Sequence, residues 1–188
     1  MSQCPKEYEK MILVRDGTEV LLRPELSTDT DMLWEMYSTL SEESQCYLGR
    51  GFTRERIEGW TSRIDYKRRL PIMAVVKEGG NERIVASAVL EFFLDSPAFK
   101  HKANFGIVVH DEYQNKGLGT ILTNCVLEIA KGMGLRKVSL SVATENIKAL
   151  HVYEKCGFRI EACLKEEGFA DGRYYDNYVM SIFLQDML

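Results

Sequence analysis

The stretch Gln114-Asn115-Lys116-Gly117-Leu118-Gly119 constrains this chain more than any other. It follows an apolar run, Phe105 to Val109, and opens a segment in which Leu118, Ile121, Leu122, Cys125, Ile129 and Met133 recur at helical spacing. A strand that turns through glycines into a helix start makes an anion site. The first amide groups of a helix have no internal partner, and the helix dipole adds positive potential there. Glycine lets a bulky phosphate approach that backbone closely. The pattern predicts a phosphate-bearing ligand at about residues 114–120.

Two familiar phosphate loops are excluded. A P-loop needs Gly-Lys-Ser/Thr in that order, and here Lys116 precedes Gly117. A dinucleotide fingerprint needs G-x-G-x-x-G or Ala, and Leu122 stands where the small residue belongs. No acidic residue closes the next strand, which reads Lys137-Val138-Ser139-Leu140.

What fits is Gln/Arg-x-x-Gly-x-Gly/Ala after a buried strand. A second block, Asn146-Ile147-Lys148-Ala149-Leu150-His151-Val152-Tyr153-Glu154-Lys155-Cys156-Gly157-Phe158, follows at a distance that accommodates one helix and one strand. Together, in this order, the two blocks resemble the GNAT superfamily of N-acyltransferases over roughly residues 11–185. The resemblance implies an α/β (α+β) fold: a mixed, mostly antiparallel sheet of about seven strands flanked by about four helices. It also implies acetyl-CoA as co-substrate, no metal, and direct transfer to an amine acceptor without an acyl-enzyme.

The bulk numbers agree with one domain over 1–188, residues 1–10 being a flexible or accessory segment. A chain of 188 residues with 45% hydrophobic and 28% charged residues buries a real core. A net charge of −4 offers nothing to nucleic acid as a whole surface. The run Lys67-Arg68-Arg69 reads as a solvated helix end. Five cysteines, with no C-x-x-C pair, indicate reduced thiols and a cytoplasmic setting, with Cys125 a core residue. No apolar run approaches 18 residues, and Met1 to Arg15 carries no signal-peptide core, so neither membrane insertion nor secretion is expected.

Along the chain, Met11 to Arg23 reads as a strand pair, or one strand broken at Asp16-Gly17. Ser27 to Asp31 supplies caps for a helix over about 29–40, and Thr53 caps another over about 54–68. Strands follow at 71–77 and 83–93 around Gly79-Gly80-Asn81, then at 102–109, whose apolar end suits a strand buried on both faces. The pattern continues with helix 117–132, strand 138–142, helix 147–156 ending at Gly157, and strands 158–165 and 174–184.

The resemblance also distributes roles. Backbone amides of Gln114, Asn115, Lys116, Gly117, Leu118, Gly119 and Thr120 would bind the pyrophosphate, with Lys116 either adding charge or facing water. The main chain of Ile107, Val108 and Val109 would pair with the pantetheine arm and polarise the thioester, their side chains being core. Asn146 would hold pantetheine, or cap its helix. Tyr153, two turns on, would lie at the coenzyme sulfur as proton donor. Asn104 stands where relatives carry a glutamate base, so Glu91, in the apolar setting Ala88 to Phe93, is the first substitute on the argument that burial raises a carboxyl pKa. His110 and His101, each beside charged and exposed residues, are weaker, and a water chain is a further option. Glu25, Tyr47, Glu91 and Tyr174 are candidates for the acceptor pocket. The acceptor stays open between a protein or peptide amine (lysine or amino terminus) and a small-molecule amine or amino acid. A coenzyme-binding sensor without turnover is the alternative, and a homodimer through strand 174–184 is a further expectation.

Overall fold

The structure, a computed structural model, describes residues 7–48, 52–170 and 172–187. Most of the amino-terminal segment, Gly49, Gly51 and Asp171 lie outside the described residues. Eight strands form one sheet: β1 (Lys10–Leu13), β2 (Glu19–Pro24), β3 (Arg69–Glu78), β4 (Asn81–Phe92), β5 (Lys102–Val109), β6 (Lys137–Ala143), β7 (Arg159–Ala170) and β8 (Arg173–Phe183). Their order is β1-β2-β3-β4-β5-β6-β8-β7, and every neighbouring pair is antiparallel except β5 and β6. Among the described residues five α-helices join them: α1 (Thr30–Ser38), α2 (Glu42–Cys46), α3 (Arg54–Thr61), α4 (Leu118–Gly132) and α5 (Ile147–Lys155).

The eighth strand arises because Asp16-Gly17 is a true hairpin turn. Gly17 sits at φ 86°, and the Asp16 carboxylate takes both the amide and the hydroxyl of Thr18. The fifth helix, α2, is too short and polar to show periodicity; Ser41 caps it by accepting from the Ser44 amide. The α3 helix ends at Thr61 rather than 68. Lys67-Arg68-Arg69 is therefore not a helix end: Asp65 turns the chain, its carbonyl taking the amides of Arg68 and Arg69, and Arg69 begins β3. Asp29 occupies the cap position of α1 but does not cap it. Its buried carboxylate instead grips the Arg23 guanidinium at 2.7 and 2.8 Å and the Leu26 amide at 2.7 Å.

Each face of the sheet carries its own core. On one, Leu118, Leu122, Cys125 and Val126 of α4 and Tyr153 of α5 pack on Leu22, Ile72, Ala88, Phe105 and Leu140. On the other, Leu33, Met36 and Tyr37 of α1 and Ile57 of α3 pack on Met73, Val75 and Ile84. The sheet edge at the carboxy-terminal end is β7, not β8, which lies between β6 and β7. Residues 177–183 of the strand expected at 174–184 are thus paired to β6 as well as flanked by β7. β7 is exposed almost throughout and carries Arg159, Glu161, Lys165, Glu166 and Glu167, charges that discourage uncontrolled pairing of an open edge.

Candidate functional site

The one parallel pairing fixes the site. β5 and β6 are in register only at Lys102↔Lys137, Ala103↔Val138 and Asn104↔Ser139. Beyond Asn104 they diverge, while β5 stays paired to β4 as far as Val109↔Ala86. His110 donates its amide to Val85, so the amides of even-numbered residues face β4. The alternation turns the N–H and C=O of Phe105, Ile107 and Val109 into the gap. Val108 therefore belongs to the β4 ladder, and its main chain is not available there. Ile107, Val108 and Val109 are half-buried rather than fully enclosed, because the gap leaves one side of β5 uncovered.

At its far end this open edge meets the glycine turn. A 3₁₀ turn, Asp111–Tyr113, leads to Asn115 at φ 60° and Gly117 at φ 86°. Gly117 is the N-cap of α4, which has no side-chain cap and no acidic residue in its first turn. A Cβ on Gly119 would touch the methyls of Val109 and Val152 at 3.8 and 3.9 Å. Glycine thus holds both the left-handed turn and the close pass between strand and helix. The amides of Leu118, Gly119 and Thr120 are the free start of α4.

The side chains of the turn do a different job from its backbone. Gln114 donates from Nε2 to the Val109 carbonyl, the Ser44 hydroxyl and Asp111, at 3.1–3.3 Å. Lys116 neither reaches out as a free cation nor simply faces water: its Nζ pairs with Asp16 at 2.8 Å and lies over the Tyr113 ring. Asp16 is held well below the usual carboxylate range by hydrogen bonds from Lys116 and Thr18.

Asp111 fastens α2 to this turn. Its carboxylate accepts from the Ser41 amide (2.8 Å) and hydroxyl (2.8 Å) and from the Ser44 hydroxyl (2.6 Å). Burial pushes the Asp111 pKa up, but those bonds outweigh it and hold the group below its ordinary value. At the other side of the gap, Glu43 of α2 pairs with Lys148 at 2.9 Å, and the Tyr47 ring meets Tyr175 of β8 edge-on at 6.3 Å. Short α2 is therefore a strap across the diverging strands. Sequence periodicity missed it; the Ser41-x-x-Ser44 cap was the available signal.

Asn146 caps α5 by accepting from the Ala149 amide at 3.1 Å. Tyr153 is buried against Phe105, edge to face at 6.4 Å, and Phe158 at 5.8 Å. Burial, with Cys156 adding, pushes its phenol well above the ordinary value, so it holds its proton firmly. Among the described residues no group accepts a hydrogen bond from its hydroxyl.

The expected setting of Glu91 is overturned: it is exposed, not enclosed by the apolar residues that flank it in sequence. It lies in one row with Arg69, Asn104, Ser139 and Ser181, cross-strand partners that share a sheet face. Ser139 and Ser181 share a hydrogen bond at 2.9 Å, and Ser181 donates to Glu161. This polar row, invisible without register, crosses the sheet where the gap opens. His110 is buried rather than exposed, bonded to Thr39 at 3.1 Å and set beside Arg83 and Glu112. His101 is exposed, its carbonyl taking the Arg136 amide. Glu25 is almost wholly buried, 4.0 Å from Arg69, while Tyr47 borders the gap and Tyr174 lies 64% exposed on the β7–β8 hairpin against Phe169. A separate cavity of about 220 Å³, lined by Trp60, Arg63, Asp65, Arg68, Arg69 and Pro71, lies between α3 and β3.

No group of three or more metal-ligating side chains occurs among the described residues, and no helix there is long and apolar enough to cross a membrane. In comparisons with known proteins, a spermidine N(1)-acetyltransferase of Vibrio cholerae is 45% identical over 75 residues, 39% of this chain and 43% of that protein. An L-amino acid N-acetyltransferase of Escherichia coli is 33% identical over 86 residues, 45% of this chain and 53% of that one. The chain thus spans about half the length of these curated relatives. Among solved structures, spermidine N-acetyltransferase from Vibrio cholerae in complex with CoA and spermine superposes with a TM-score of 0.74 at 25% identity, covering 88% of this chain and 96% of that one. The ribosomal-protein-S5-alanine acetyltransferase from Vibrio fischeri shares the fold, with a TM-score of 0.80 at 17% identity over 96% of this chain and 98% of that one. The model of the acetyltransferase (GNAT) family matches residues 33–158, and with the diverging strands and the glycine-started helix it covers, this chain belongs to the GNAT acetyltransferase family.

Proposed function

We propose that the chain is an acetyl-CoA-dependent N-acetyltransferase that moves the acetyl group directly to a primary amine. The observation that carries this reading is the continuity of the unpaired β5 edge with the uncapped start of α4. An extended amide-bearing arm fits the first, and a pyrophosphate fits the second.

The co-substrate supplies a thioester whose carbonyl carbon the amine attacks, with the C–S bond breaking and the sulfur leaving as a thiolate that needs a proton. Each remaining task falls to a residue. The amides of residues 115–120 bind phosphate; that of Gln114, expected to join them, is given to the Asp111 carbonyl instead. The gap-facing Ile107 and Val109 amides hold the arm, and one of them donates to the carbonyl oxygen as it becomes negative, a preorganised oxyanion contact. Asn146 offers its amide nitrogen to the arm while its oxygen stays on the helix cap. Tyr153, a phenol that keeps its proton, donates to the sulfur as the C–S bond breaks and is reprotonated by the proton that the acceptor nitrogen loses as the amide forms. Glu91, one strand from Asn104 and open to water, takes the ammonium proton before attack and releases it to solvent. Sequestered Cys125 and Cys156 do not enter this chemistry, and the free thiols fit a cytoplasmic protein.

The acceptor is an amine that can enter beneath α2 along the polar row. The named relatives act on spermidine and on L-amino acids, and small amines of those classes head the panel, with peptide amines after them. Pairing of two copies would use β7 in place of 174–184.

Thermal unfolding with and without acetyl-CoA tests the coenzyme reading. Saturation at about 100 times the dissociation constant adds roughly 2.7 kcal/mol, a rise of about 5–10 °C for a chain of this size. CoA release with the amine panel then separates an enzyme from a sensor. No thermal shift at millimolar acetyl-CoA overturns the coenzyme site; a shift with no CoA release from any amine favours the sensor.

A further inference from the structure

The tip of the β1–β2 hairpin is sewn onto the phosphate turn. The Arg15 amide donates to the Lys116 carbonyl at 3.0 Å, and Asp16 pairs with the Lys116 ammonium at 2.8 Å. The hairpin tip is itself rigid: Val14 donates to the Thr18 carbonyl, Gly17 donates to the Val14 carbonyl, and Asp16 closes a side-chain turn with Thr18. The Arg15 side chain is thereby laid along Gly117, its Nε and Cγ 3.4 and 3.5 Å from where a Cβ on that glycine would stand.

The charges at the turn are unevenly used. Lys116 is neutralised by Asp16, and Glu112 by Arg83 at 2.7 Å. Arg15 is exposed and, among the described residues, its guanidinium has no carboxylate partner. An unpaired guanidinium, positioned by backbone bonds from another strand and set against the N-cap glycine of a helix that has no side-chain cap, is a complete complement to a phosphate. The amides bind through dipoles, and the planar fork adds the full charge they lack.

We propose that Arg15, not Lys116, is the cationic phosphate ligand of the coenzyme site, and that Asp16 serves to keep Lys116 folded away. The inference rests on the coenzyme reading of the glycine turn. It adds a residue from outside the motif, about one hundred positions upstream, that selects for a phosphate-bearing acyl donor. The phosphate is either the pyrophosphate or the 3′-phosphate of the coenzyme.

Calorimetric titration of Arg15→Gln, Arg15→Lys, Asp16→Asn and Gly117→Glu with acetyl-CoA and with 3′-dephospho-acetyl-CoA tests it. Arg15→Gln keeps the backbone bond, so its melting temperature without ligand stays that of the parent while its affinity for acetyl-CoA falls about tenfold or more, as for loss of a charge-assisted hydrogen bond. In turnover the loss falls on KM for acetyl-CoA more than on kcat. Arg15→Lys recovers part of it, and Asp16→Asn, which frees Lys116 to reach the same phosphate, does not weaken binding. A deficit that persists with the 3′-dephospho donor assigns the pyrophosphate; one that disappears assigns the 3′-phosphate. Unchanged affinity in Arg15→Gln, with binding abolished in Gly117→Glu, overturns the assignment of Arg15 and leaves the turn intact. Unchanged affinity in Gly117→Glu overturns the turn itself.

Discussion

Two regions on either side of the central strands handle polar groups in opposite ways. At the glycine turn the side-chain charges are spent on one another: Lys116 on Asp16, Glu112 on Arg83, and Asp111 on Ser41 and Ser44. Apart from the Arg15 guanidinium, what is left open is backbone, the amides at the start of α4 and the gap-facing edge of β5. On the α1–α3 face the backbone is paired in β2, β3 and β4, and what is left open is a side chain, the buried Glu25 carboxylate, whose Oε1 has no hydrogen-bond partner among the described residues. A backbone site recognises what every donor of one class shares, phosphates and amide arms. A side-chain site is built from whatever residues the strands bring together, so it varies from one relative to the next.

The sharpest way to break this contrast is Gly117→Glu. The new side chain would sit at φ 86°, a conformation costing a non-glycine residue about 1–2 kcal/mol, beside Arg15 and in the path of the phosphate. Acetyl-CoA should then produce no thermal shift at any concentration that saturates the parent protein. A shift of parental size would mean that the open backbone at α4 is not the binding element.

Next in size is Tyr153→Phe. The phenol gives no hydrogen bond to a described residue, so removing its oxygen leaves the melting temperature unchanged or slightly raised. If the hydroxyl protonates the leaving sulfur, kcat falls about 10²-fold while affinity for acetyl-CoA holds, the mark of an interaction made in the transition state. Equal loss of both would make Tyr153 a binding residue, and no loss of either would return it to packing between Phe105 and Phe158.

The same contrast explains how much could be read from the sequence. The glycine turn was legible because positive φ, strand-to-helix entry and helix period all leave local marks: Gly117, Gly119 and the apolar series from Leu118. Strand positions were legible for the same reason, from the Asp16-Gly17 and Gly79-Gly80 turns and the alternation Val138, Leu140, Val142. The face-by-face setting of Glu91, His110 and Glu25 was not, because it depends on register across several strands and on which helix covers them. Glu91 stands in an apolar stretch yet points from an uncovered part of its face, and His110 stands among charges yet is buried by Thr39 and Arg83. Nor was the order β6-β8-β7 legible, since nothing local to 159–183 shows that the chain's last strand inserts inside the previous one.

The smallest effect belongs to the other side of the comparison, Glu25→Gln. Burial pushes the Glu25 pKa above the ordinary carboxylate value; the Arg69 guanidinium at 4.0 Å offsets this in part and Asp29 reinforces it. The folded chain therefore holds this proton more tightly than the unfolded chain, in which the carboxyl titrates near 4.3. Folding is favoured fully below that unfolded value, and the contribution is lost as pH rises from there through the raised folded pKa, leaving a buried charge above it. Glutamine has the same shape and no charge to bury. The variant should melt a few degrees higher than the parent at pH 7.5, and the difference should close as pH falls toward 4. A variant that melts lower at pH 7.5 would show that Arg69 compensates the carboxylate fully. The polar opening on this face would then be a closed ion pair, and the two regions would handle charge alike.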